Sequence, residues 1–155
     1  MDYVINERIG NPALFVGRKK ELEYYLNWIN NIKDQKSKST AVLARRKMGK
    51  TALLERLYNI TFYNNGEVIP FYYEVSESKR WAVDFCRDFF LRFIFQYIAF
   101  KTRKPEYFYI DEQIGFDTAR DLIIKEGLDY LLPTLNNVAE AVSQNNVDTL
   151  WPLVR

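Results

Sequence analysis

Hydrophobic residues along the chain recur mostly with the period of a helix, and this rhythm is broken by a few short unbroken apolar runs. Leu22, Tyr25, Leu26, Ile29 and Ile32 keep helical spacing, which predicts an amphipathic helix over roughly 18–33. A polar connector from Asp34 to Lys38 leads to the run Thr40 to Ala44, which reads as a strand. Leu53, Leu54, Leu57 and Tyr58 then mark the buried face of a helix over about 50–60. After the turn Asn64-Asn65-Gly66, the run Val68 to Val75 reads as a second strand, with Pro70 favouring its beginning or an edge. Ser76 to Ser78 supply capping residues for a long helix over about 79–101, apolar around most of its circumference. Asp117 is the expected cap of a helix over 118–126 that stops at Gly127. Pro133 suits the first turn of another, with Leu135, Val138, Ala139 and Val142 on one side. Asn145-Asn146 ends that helix, and a last short one is expected around Trp151.

The stretch with the most chemistry joins the first apolar run to the second helix. It reads Ala44-Arg45-Arg46-Lys47-Met48-Gly49-Lys50-Thr51-Ala52. Strand, basic loop, Gly-Lys-Thr, helix is the order of a phosphate-binding loop. Gly49 lets the backbone turn beside an anion with no Cβ in the way. Amides of the loop and first helical turn then face the phosphates, assisted by the helix dipole. Lys50 is the residue expected on the β- and γ-phosphates, and the Thr51 hydroxyl is the expected ligand of Mg²⁺. Arg45, Arg46 and Lys47 add positive charge, or are solvated surface. Position 44, where the full pattern G-x-x-x-x-G-K-[ST] has its first glycine, carries alanine, which is costly if its φ is positive. The plainer reading of the whole stretch is an exposed basic turn before a helix.

With Phe15-Val16-Gly17-Arg18-x-x-Glu21-Leu22 upstream, a helix, a polar loop and then Arg45-Arg46-Lys47-Met48-Gly49-Lys50-Thr51, the chain resembles the archaeal-type P-loop ATPases of the AAA+/STAND group. The resemblance covers about residues 10–75. It implies ATP and Mg²⁺ as ligands, with Phe15 to Arg18 near the adenine. It also implies an α/β fold: a P-loop NTPase-type parallel sheet flanked by helices, with a nucleotide-binding β-α-β core over 10–75 and a mainly helical portion over 76–155. The strand–helix–strand order itself predicts a parallel pair with a right-handed crossover. The chain would be the N-terminal part of such a domain, since its last residues look like a cut through something larger. The sheet would then be incomplete and the chain prone to self-association.

Catalytic residues are harder to name. Tyr107-Phe-Tyr-Ile-Asp111-Glu112 mimics a Walker B strand, whose aspartate serves the metal and whose glutamate polarises water. Pro105 shortens that strand, and in the group resembled it comes further along the chain. Glu74, at the end of the second expected strand, reads more simply as solvated. Cys86 reads as a small buried hydrophobe.

Composition narrows the classes. A net charge of +2 gives no electrostatic case for a dedicated nucleic-acid binder, and the absence of histidine excludes His relays and His metal sites. One cysteine excludes an internal disulfide and suits a reducing, cytoplasmic setting; the N-terminus lacks the layout of a signal peptide. The aromatic helix is interrupted by Asp84, Arg87, Asp88 and Arg92, and its apolar run stops at Lys101, short of a membrane span. Three functional classes stay open: an ATPase, a nucleotide-binding module without hydrolysis, and a helical interaction domain whose loop is vestigial and whose aromatic helix docks a partner.

Overall fold

The computed structural model describes residues 3–7, 17–64, 66–75, 82–110 and 115–146. Among them are the helices α1 (Lys19–Asn30), α2 (Lys50–Tyr63), α3 (Ala82–Thr102), α4 (Gly115–Lys125) and α5 (Leu132–Ser143), with short 3-10 turns at Pro105–Tyr109 and Asp129–Leu131. The chain divides into two compact units, Met1–Tyr72 and Tyr73–Arg155.

In the first unit α1 packs on α2. The predicted face of α1, with Leu22, Tyr25, Leu26 and Ile29, is half-buried, and none of its residues is fully buried. Helix α2 is the better covered of the two: Leu53, Leu57, Tyr58 and Phe62 are buried, whereas Leu54, expected on the same face, is exposed. The N-terminal segment is fastened to α2 by the side chains of Asn59 and Arg56. The Asn59 amide accepts from the Ile5 backbone N–H at 2.9 Å and donates to the Ile5 carbonyl at 2.9 Å, as a neighbouring strand would. It also donates to Glu7 Oε1 at 3.1 Å, which Arg56 reaches at 3.3 Å.

The expected α/β fold is overturned: among the described residues there is no strand and no sheet, only helices and irregular segments. Residues 40–44 and 68–75, read as the strands of a β-α-β core, have no ladder partner. A short apolar run becomes a strand only where another backbone lies alongside, and Leu43, 91% exposed, has neither a paired backbone nor a covered side chain. The third apolar run fails differently. Pro105 occupies the first turn of a 3-10 helix that includes Tyr107 and Phe108, so the Walker B-like strand does not form. Asp111 and Glu112 lie outside the described residues, as do the Ser76 to Ser78 caps and the expected final helix around Trp151.

The second unit is built on α3, which touches the Pro105–Tyr109 turn, α4 and α5; α4 and α5 also touch each other. Its apolar circumference is explained by this covering. Leu91, Ile94, Phe95, Ile98 and Ala99 are buried on α3, Ala119 and Ile123 on α4, and Leu135, Val138 and Ala141 on α5. Cys86 is buried here too, and burial pushes its thiol pKa up, as suits an inert core residue. Each helix ends on a left-handed residue: Arg103 (φ 59°), Gly127 (φ 69°) and Asn145 (φ 53°). In each case the following amide returns to a carbonyl five residues back, Lys104 to Ala99, Leu128 to Ile123 and Asn146 to Ala141. Gly127 and Asn145 end their helices where the sequence predicts. Arg103 does so without the freedom of glycine, its guanidinium lying 4.2 Å over the Phe100 ring.

One polar cluster ties the ends of α3 and α4. Glu126 accepts from Lys104 Nζ at 2.7 Å on both oxygens and from the Tyr107 hydroxyl at 2.6 Å. Lys104, then Tyr107, hold the Glu126 carboxyl below the usual range, and bonding to Glu126 raises the Lys104 pKa.

Candidate functional site: the loop before α2

Residues 44–52 remain the most chemically suggestive stretch. Gly49 is the N-cap of α2 in the left-handed conformation (φ 72°, ψ 25°), and helix geometry starts at Lys50. The Leu53 amide bonds the Gly49 carbonyl at 3.1 Å, while no side chain caps the helix and its first turn holds no acidic residue. The amides of Lys50, Thr51 and Ala52 are therefore the free donors that every helix start possesses. Lys47 is also left-handed (φ 64°), two positions before Gly49, and Met48 N bonds Arg45 O at 3.3 Å to close the turn between them. Left-handed residues at alternate positions curl successive amides toward a common side, which is how backbone nests receive anions.

Two cations bond the carbonyls of this turn. Lys50 folds back so that Nζ donates to Ala44 O at 2.5 Å and lies 3.4 Å from Arg45 O. Arg18 Nη2 donates to the Met48 carbonyl. Among the described residues none of Arg18, Arg45, Arg46, Lys47 and Lys50 is in an ion pair. Arg45, Arg46, Lys47, Met48 and Gly49 are exposed, and Lys50, Thr51 and Ala52 are half-buried. Ala44 is not among the residues with positive φ, so its methyl meets no backbone penalty.

The sequence expectation placed Arg18 near an adenine; the structure brings its side chain to the Met48 carbonyl of the loop. Phe15 and Val16 lie outside the described residues, and Gly17 precedes Arg18 with φ 96°. Nothing in the local pattern signals a contact between positions 30 apart. The described residues of the same unit include a cleft of about 220 Å³ between α1 and α2, with Leu26, Ile29 and Thr61, and another of about 410 Å³ beside Tyr24, Trp28 and Lys38. Neither is lined by the loop. Glu74, exposed, sits on an irregular segment. No group of three or more acidic, Cys or His residues among the described residues is placed to hold a metal, and no described helix is long and apolar enough to cross a membrane.

No known protein family, curated protein or solved structure matches this chain.

Proposed function

We propose that the chain binds a nucleoside triphosphate, ATP with Mg²⁺, on the loop Ala44 to Ala52 at the start of α2. The observation that carries this reading is the uncapped N-terminus of α2 behind left-handed Gly49, in a loop whose cations Arg45, Arg46, Lys47 and Lys50 have no acidic partner among the described residues. Donors without acceptors and cations without counter-charges suit a polyphosphate. Lys50, now on loop carbonyls, is long enough to exchange them for phosphate oxygens. Magnesium would arrive with the phosphates and take the Thr51 hydroxyl as its protein ligand, in keeping with a cation that retains several waters. The proposal is one of binding; a carboxylate beside the γ-phosphate would be needed for hydrolysis. A cytoplasmic setting belongs to the same reading, because ATP and Mg²⁺ are plentiful there.

Titration with a fluorescent ATP analogue tests it, on wild type beside Lys50→Ala. A charge-assisted contact is worth about 1.5–3 kcal/mol, so the substitution should weaken binding by at least about tenfold. Equal binding by both proteins would remove the loop from the account. No binding by wild type would leave the loop as an exposed basic turn and favour the interaction-domain reading.

A further inference from the structure

The loop is gripped from two directions, and one grip comes from outside α2. Lys50 holds the carbonyls at the loop's start, Ala44 and Arg45. Arg18 holds the carbonyl at its end, Met48, directly before Gly49. Arg18 is itself fixed at its backbone: it is the N-cap residue of α1, its carbonyl accepts the Leu22 amide at 2.9 Å, and Gly17 in front of it turns the chain at φ 96°. Since α1 packs on α2 and α2 begins at the loop, the contact closes a ring: α1, α2, loop, Arg18.

We propose that Arg18 is a positioning residue for the phosphate loop, bracing the Met48 carbonyl from the start of α1 so that the following amides point toward the anion. In a trans peptide unit the C=O and the following N–H lie in one rigid plane and point in opposite directions, so a carbonyl held by a guanidinium aims the next amide the opposite way. The amide so aimed is that of Gly49. Arg18 acts through the backbone of the loop and touches no phosphate in this role. Its consequence for ligand binding rests on the nucleotide reading above; the brace itself does not.

Two measurements separate the brace from that reading. Amide hydrogen exchange on the nucleotide-free protein should show the two bonded amides of the loop, Met48 (to the Arg45 carbonyl) and Leu53 (to the Gly49 carbonyl), exchanging at least severalfold faster in Arg18→Ala, with partial recovery in Arg18→Lys, which keeps one donor for one carbonyl. Unchanged exchange in Arg18→Ala overturns the brace, whether or not the protein binds nucleotide. The second measurement is affinity for the fluorescent ATP analogue across a series of salt concentrations. Losing a direct phosphate contact flattens the salt dependence, because fewer screened charges act on the ligand; losing a brace lowers affinity by a similar factor at every salt. Arg18→Ala should therefore bind about tenfold more weakly with a slope parallel to wild type, whereas Arg45→Ala should flatten it. A flattened slope in Arg18→Ala would make Arg18 a phosphate ligand and overturn the inference. Failure of wild type to bind sinks the nucleotide reading alone, and the exchange experiment still decides the brace.

Discussion

The two units solve different problems with the same material, helices of 11–21 residues. In the second unit the central helix is covered on several sides, the C-terminal end of each helix is closed by a returning amide, and the Lys104, Tyr107 and Glu126 cluster satisfies its own polar atoms. In the first unit α1 buries no residue completely, and the start of α2 is open, cationic and uncapped. Burial concentrates where chemistry is scarce, and unspent donors and charges concentrate where burial is thin. An exposed helix start is satisfied by water, so the contrast marks the loop as the place where backbone donors and positive charges stay open to solvent.

The sharpest way to break this contrast is to remove matched apolar groups. Leu91→Ala on α3 empties a fully buried position and should cost about 2–5 kcal/mol, against about 1 kcal/mol for Leu26→Ala on half-buried α1. Urea denaturation followed by circular dichroism reads both; equal losses would abolish the distinction.

A pH series addresses the polar cluster of the second unit. The Glu126 carboxyl is held below its ordinary value of 4.5, so its stabilisation is complete above about pH 5 and is lost as pH falls through the lowered value. Lys104 is raised from 10.5, so its share is complete below that value and is lost as pH rises beyond it. Thermal midpoints of Glu126→Gln should converge on those of wild type toward acid and lie below them near neutrality. A constant gap from pH 3 to 7 would show that the carboxylate's charge is irrelevant.

Smaller effects sharpen the picture at the loop. Gly49→Ala places a Cβ in open space but at φ 72°, so it should cost about 1–2 kcal/mol from backbone strain alone. A neutral result would mean the loop relaxes freely. Ala44→Gly is the mildest: with φ not positive, glycine gains nothing and should cost about 0.4–1 kcal/mol through the unfolded chain. A gain in both stability and nucleotide affinity would reveal a hidden need for left-handed backbone there.

What the sequence made legible follows from range. Helices announce themselves within a turn or two, so α1, α2, α3, α4 and α5 lie within a few residues of their expected bounds, and Gly127 and Asn145 mark stops where backbone chemistry requires them. Gly49 before Lys50 was equally local. Strands are different: Thr40 to Ala44 has a strand's composition, but a ladder needs a second backbone that no run of five residues specifies. Tyr107 to Ile110 shows the other failure, an apolar run whose burial is achieved in a 3-10 turn set by Pro105. The Arg18 to Met48 contact spans 30 positions and leaves no trace in periodicity.

Asn59 illustrates how much one letter of the code can carry. Its amide reads Ile5 in both directions, accepting from the N–H and donating to the C=O, with a donor bond to Glu7 besides. Aspartate, the same shape, offers two acceptors and no donor, and would face the Ile5 carbonyl and the Glu7 carboxylate with oxygen. Leucine, the same size, offers neither. Aspartate, which a similarity matrix scores as a mild replacement, is therefore a severe one at this position. In a library of random replacements, residue 59 should emerge as nearly monospecific, although nothing about it is catalytic.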